Sequence, residues 1–225
     1  NTPCTQELWQ VIMDSNPSKF KNEPLANLRP VENIPFTGDE SVEVFLSKLQ
    51  NYLPQQIQVN VPTEAQWEFA CRAGTSTRFW WGNEMIEDMA NTDNIVQSTN
   101  SVFKYPANPW GLFDMHGNVM EWTLDQYQAD YYATLGNATA SPWRRPDKLL
   151  PRTARGGSWD ENPQVLRSSA RTSSNPSWQR RDPQIPKSFW WCSDAPFIGI
   201  RLVKPTIQPT KEEQEEFWSL VLDEG

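Results

Sequence analysis

Apolar residues recur at helical spacing in three stretches of the N-terminal third. In the first, Thr5 stands where a cap is needed, and Leu8, Trp9, Ile12 and Met13 form one face of a helix that Asn16-Pro17-Ser18 ends. In the second, Thr37 or Asp39 opens a helix that runs to about Tyr52, with Val42, Phe45, Leu46 and Leu49 on its buried side. Between them Val31 to Pro35 reads as a short extended segment. The third follows a short strand, Val59 to Val61. Thr63 caps it, Gln66 completes a capping box, and Gly74 stops it. Its inner face carries Trp67, Ala70 and Cys71, so Cys71 reads as a small buried hydrophobe and not as a nucleophile.

Beyond this the periodicity weakens. Phe79-Trp80-Trp81-Gly82 is an aromatic turn, and residues 83–146 predict few long elements. Arg155-Gly156-Gly157-Ser158-Trp159 reads as a strand with a glycine pair, where another backbone or a ligand comes close. Phe197 to Val203 reads as a final strand. Between the two lies Asp160 to Ala195, a length that in a loop signals function, and its Trp178, Phe189, Trp190 and Trp191 argue against disorder. Residues 1–204 therefore read as one domain. Pro205 to Pro209 is a linker, and Thr210 with Glu213 caps a helix over Lys211 to Asp223 whose Phe217, Trp218, Val221 and Leu222 stripe docks on its own domain.

Composition changes the picture in one respect. Only 37% of the residues are hydrophobic, and 19 prolines with 10 glycines imply many irregular connections, but 12 tryptophans can fill the centre of such a domain. The net charge of −8 argues against nucleic acid and anionic membranes as partners, since both need clustered cations. Arg144-Arg145 and Arg180-Arg181 are local basic pairs, read as solvated surface or as a contact for an acidic patch. No apolar run is long enough to span a bilayer. Cys4, Cys71 and Cys192 are odd in number and far apart, with neither disulfide nor zinc spacing, which favours a reducing, cytoplasmic setting. The single His116 cannot build a histidine metal cluster. Asn137-Ala138-Thr139 matches a glycosylation triplet, as chance also allows. The start Asn1-Thr2-Pro3 lacks an initiator methionine and points to a fragment.

One stretch concentrates chemistry. Asn108 to Trp122 reads N-P-W-G-L-F-D-M-H-G-N-V-M-E-W, a tight Gly117-Asn118 turn set among apolar residues. Asp114 and Glu121, with the carbonyls of Gly117 and Val119 between them, offer oxygens that a turn can fold around a hard cation. A plain solvated turn is the other reading of the same residues.

Taken together, Val61 to Ala70, Trp81-Gly82, Asn108 to Thr123, Arg155 to Trp159, Leu166 to Arg171 and Gly199-Ile200-Arg201 resemble the sulfatase-modifying-factor family, the formylglycine-generating-enzyme domain, in order and in spacing. Thr5 to Ser18 resembles the family's early helix, and the match runs from Cys4 to Val203. The resemblance implies an α+β, C-type-lectin-like fold: a twisted antiparallel sheet, flanking helices and much irregular coil. It implies a structural calcium ion at Asp114, Gly117, Val119 and Glu121. The family's second calcium site begins near Asn91 and Thr92, and its later ligands have no match here. It also implies a copper-dependent oxidase whose two cysteines follow the Arg-Gly-Gly-Ser motif by three and eight residues. Counted from Ser158, those positions hold Glu161 and Leu166. Neither side chain binds cuprous ion as a thiolate does, so no copper is expected.

The leading expectation is therefore a non-catalytic binding module for a protein or small-molecule ligand, with Trp159, Asp160, Trp178, Arg180, Trp190 and Trp191 as its contact surface. An enzyme of different chemistry using Asp160, Glu161 and Arg171 is a second reading. A variable display protein of a diversity-generating retroelement is a third, with 159–198 as the displayed stretch. The chain also fits a module of a larger bacterial protein, such as a kinase that carries this kind of domain.

Overall fold

The computed structural model describes residues 1–136, 140–179 and 195–204, and the single residues 210 and 212. Helix α1, Gln6–Met13, begins where Thr5 caps it by accepting the Leu8 amide. Its buried face is Gln6, Trp9, Ile12 and Met13; Leu8, expected there, is 36% exposed. Helix α2, Val42–Gln50, starts later than the sequence suggests, because Ser41 caps it through the Val44 amide. Val42, Phe45, Leu46 and Leu49 are all buried as expected, and Trp9 stacks on Phe45 at 4.7 Å between ring centroids. Helix α3, Glu64–Arg72, has both hydrogen bonds of the Thr63–Gln66 capping box. Ala73, in the left-handed region, closes it, and Gly74 follows with φ 91°.

The strands depart further from expectation. The central one, β1 (Met120–Gln126), lies in the region 83–146 where the sequence predicts few long elements. It pairs antiparallel with β2 (Arg152–Arg155), and β2 pairs antiparallel with β3 (Thr172–Ser173). The other edge, β4 (Ile198–Gly199), joins β1 in parallel, which gives the order β3-β2-β1-β4. One of the three pairings in the expected antiparallel sheet is thus parallel. The predicted strand at 155–159 lies instead at 152–155, and the glycine pair ends it. Of the predicted strand 197–203 two residues pair as a strand. The predicted strand 59–61 is a single bridge from Asn60 to Val203. A short helix α4, Tyr131–Thr134, lies between β1 and β2.

The alternation of β1 sorts its two faces. Met120, Trp122 and Leu124 enter a core shared with α1, α2, Val31, Ile34, Phe36 and Ile198. The Trp122 ring meets Phe36 edge-on, and its Nε1–H donates to the Ile34 carbonyl at 2.9 Å. Glu121, Thr123 and Asp125 face the other way and are equally buried, because each finds partners there. Asp125 accepts the Glu64 amide at 2.7 Å at the start of α3, and Thr123 donates to the Thr153 carbonyl at 2.9 Å. A smaller cluster of Trp67, Cys71 and Met115 lies under α3, and a third joins Phe79, Ala90 and Leu166.

Candidate functional site

The turn before β1 is built on three residues with positive φ: Asp114 at 54°, Gly117 at 76° and Asn118 at 65°. Gly117 has no substitute, since a Cβ there would lie 2.2 Å from the Asn91 carbonyl oxygen. Asn118 is fully used. Its Nδ2 donates to the Asn100 carbonyl at 3.1 Å, and its Oδ1 accepts the Asn100 amide at 2.9 Å. The Gly117 amide donates to Gly156 and the Trp159 amide to Asn118, so the turn holds the glycine pair that follows β2.

The four expected cation ligands are differently placed. Glu121 is 1% exposed, and Arg201 grips both its oxygens at 3.0 Å while Trp67 Nε1 donates to one at 2.7 Å. Asp114 is 7% exposed; Asn118 Nδ2 lies 3.5 Å from one oxygen, and the other has no hydrogen-bond partner. Burial pushes the Asp114 carboxyl up to about 7, against the pull of Arg201 and with the added repulsion of Glu121. An orphaned, sealed carboxylate oxygen fits a hard cation. Glu121 fits less well, since a guanidinium already neutralises it.

The motif that follows β2 leads to the positions where the resemblance puts thiolates. Ser158 and Glu161 close a small turn: the Glu161 carboxylate accepts the Ser158 amide at 3.0 Å, and the Ser158 hydroxyl donates to Asp160 at 2.7 Å. Burial raises the Glu161 carboxyl above its usual range, and the charge of Asp160 adds to the shift. Leu166 is wholly buried. A Cβ on Gly157 would come within 2.5 Å of its Cδ1, so the glycine pair makes room for an aliphatic side chain. Arg171, expected beside these carboxylates, is committed elsewhere: both Glu64 oxygens hold it, and its Nη1 donates to the carbonyls of Gln128 and Ala129.

One pair escaped the sequence reading. Cys71 Sγ lies 3.5 Å from His116 Nε2, and His116 Nδ1 is 2.6 Å from the Leu166 carbonyl. The carbonyl can only accept, so Nδ1 carries the proton. Nε2 then accepts from the Trp80 amide at 3.3 Å, and the one proton of the thiol is within reach of both Nε2 and the Met115 carbonyl, at 3.8 Å. Burial pushes the thiol up to about 12 and the imidazole down to about 4. The pair is neutral and sealed, which suits packing and not nucleophilic attack. Nothing in the order of the sequence links two residues 45 apart.

The expected contact surface divides. Trp159 is 8% exposed, edge-on to Phe20, and donates its Nε1–H to the Pro196 carbonyl at 3.0 Å; it anchors the segment and offers no face. Trp178 is half-buried between Trp122 and Phe197. Asp160 is exposed. Arg180, Trp190 and Trp191 lie outside the described residues, as do Cys192, the 137–139 triplet, the predicted linker at 205–209 and nearly all of the predicted tail helix. No helix among the described residues is long and apolar enough to cross a membrane.

Comparison with known proteins bears on this scaffold directly. A family model described as the sulfatase-modifying factor enzyme 1-like domain matches residues 2–183. A serine/threonine-protein kinase pkn1 of Chlamydia caviae is 39% identical over 117 residues, which is 52% of this chain and 18% of the kinase. A formylglycine-generating enzyme of Thermomonospora curvata is 35% identical over 114 residues, 44% of this chain and 38% of the enzyme. The chain thus spans well under half the length of either relative. Among solved structures, Treponema denticola variable protein 1 superposes with a TM-score of 0.66 at 22% identity, over 89% of this chain and 81% of that one. PvdO from Pseudomonas aeruginosa does so at 0.59 and 23%, over 79% and 62%. These two likenesses are of fold.

Proposed function

The chain belongs to the sulfatase-modifying factor enzyme 1-like family, and from that premise we propose that it is a binding module that keeps the family scaffold without its copper chemistry. Leu166 carries this reading. It occupies one of the two cysteine-equivalent positions as wholly buried, aliphatic core, and the other position holds Glu161, folded back on Ser158. A soft cuprous ion finds no thiolate in either. The ligand then meets the surface of the stretch that runs from Asp160 to Ala195. Trp159 and Trp178 fix the described ends of that stretch to the core, and Asp160, Arg180, Trp190 and Trp191 supply contacts. Relatedness to part of the chlamydial kinases supports a place as one module of a larger bacterial protein.

The test pairs two measurements. Oxygen uptake with a sulfatase-type cysteine peptide, copper and a thiol reductant stays at background, and capture of a partner from lysate is lost when residues 180–191 are replaced by a short linker that leaves Trp178 in place. Copper-dependent turnover of the peptide overturns the reading.

An enzyme of different chemistry is the second reading, favoured by the convergence of Asp160 and Glu161 on Ser158. It lacks the anion clamp assigned to Arg171, which Glu64 holds. For the turn before β1 we propose a structural calcium ion held by Asp114 and the carbonyls of Gly117 and Val119. Glu121 joins only where Arg201 yields an oxygen. The unpartnered Asp114 oxygen supports it.

A further inference from the structure

One face of α3 is not used by the core. Ala65, Glu68, Phe69 and Arg72 recur on it at helical spacing and, with Tyr132 of α4, Ser169 and Arg171, line a cavity of about 470 Å³. Its charge is unlike that of the molecule. Glu68 is shared between Arg72, at 2.8 Å, and the buried Arg155; Glu64 is held by Arg171. Three guanidinium groups thus stand against two carboxylates. Deeper in, the buried Asp125 is set against the buried Arg152. A local excess of one positive charge is left on a protein of net charge −8.

The donors that remain open face this cavity's edge. Arg72 spends Nε on Glu68 and Nη1 on the Thr77 carbonyl, and Nη2 has no hydrogen-bond partner among the described residues. The Ser169 side chain is exposed. Beside them lies an apolar rim: Phe69 is 69% exposed and Trp110 49%, packed edge to face at 4.9 Å. Two large exposed aromatics against a positively charged hollow form the usual anatomy of a contact site, an apolar anchor beside a charged group.

We propose that this groove binds an acidic peptide segment. A Glu or Asp carboxylate meets Arg72 and Ser169, and an adjacent apolar side chain lies on Phe69 and Trp110. A small carboxylate would fill the hollow and leave the aromatic rim wet, so the rim points to a peptide. The residues differ from those of the contact surface proposed above, and the inference stands whether or not that surface binds anything.

The experiment uses the full chain and a fluorescein-labelled Glu-Glu-Phe-Glu-Glu peptide, read by anisotropy. Binding is expected, with about tenfold weakening for each of Arg72→Gln and Phe69→Ala, as loss of one good contact implies. Phe69 is exposed and the Arg72 side chain is 26% exposed. An unchanged circular dichroism spectrum and melting temperature are required of each variant, and Arg72→Lys, which keeps the charge, is expected to retain most of the binding. Added salt weakens the wild-type complex. Equal affinity for Gln-Gln-Phe-Gln-Gln, equal competition by benzoate, no effect of either substitution, or no binding at all overturns the proposal.

Discussion

Asp114 sits almost sealed from water with one carboxylate oxygen unpartnered, and burial holds its proton on to about pH 7. A hard cation would remove that penalty. Calcium is therefore expected to raise the melting temperature. At a hundredfold excess over Kd the gain is about 2.7 kcal/mol, at ~2–4 °C for each kcal/mol in a chain of this size. Asp114→Asn abolishes the rise. A melting curve indifferent to calcium and to chelator rules the ion out. Glu32 makes a second pH probe, since none of the four expected calcium ligands is among its hydrogen-bond partners. Each of its oxygens accepts a backbone amide, from Lys19 at 3.1 Å and Phe20 at 3.0 Å, yet burial lifts its carboxyl from 4.5 to about 7. An acid with a raised folded-state pKa keeps its proton longer when folded. The fold is therefore penalised progressively as pH rises from about 4.5 to about 7. The melting temperature is expected to fall across that window, and more shallowly for Glu32→Gln; equal slopes refute the assignment. At this scale Asp114, Glu121, Glu161 and Leu166 could all be located from the spacing of motifs. The Cys71–His116 contact and the Arg171–Glu64 pair could not, since they join residues 45 and 107 apart.

Among elements, the helices announced themselves through caps: Thr5 and the Thr63–Gln66 box stand where the chain's own chemistry demands a start. The central strand did not. Met120-Glu121-Trp122-Thr123-Leu124-Asp125 alternates as a half-exposed strand should, yet it follows directly on a tight turn rich in Gly and Asn, which is a signal of irregular structure. Its polar face is also buried, against partners from α3 and β2 that no local pattern reveals. The turn that delivers this strand can be tested by a matched pair. Gly117→Ala forces a left-handed alanine and a Cβ 2.2 Å from the Asn91 oxygen. Gly111→Ala has a similar φ, 75°, but meets nothing within 4 Å. Urea unfolding is expected to cost Gly111→Ala about 1–2 kcal/mol and Gly117→Ala on the order of 3 kcal/mol or more. Similar losses for both would show that the Asn91 contact yields easily.

For the molecule as a whole, Arg201 ties distant parts of the chain to one point. It pairs with Glu121 on the central strand and donates to the carbonyls of Asn1 at 3.1 Å and Phe113 at 2.7 Å. Both side chains are sealed, at 6% and 1% exposure. Arg201→Met strands the Glu121 charge and is expected to cost about 3–5 kcal/mol. Adding Glu121→Gln, which keeps an acceptor for Trp67, recovers part of the loss in denaturant titration. A double variant no better than the single one contradicts this account. The family and its mixed architecture were legible from spaced motifs. The strand order was not, because β3 and β4 are two residues long and their pairing is decided by closure across the whole chain. That closure also seals Cys4 in the core it shares with α1 and α2, and Cys71 on the inner face of α3. In a Cys192→Ser background the two thiols become internal clocks. Alkylation at each can proceed only as fast as its own layer breathes open, so the ratio of their labelling rates measures whether the two sides of the sheet come apart together or one before the other.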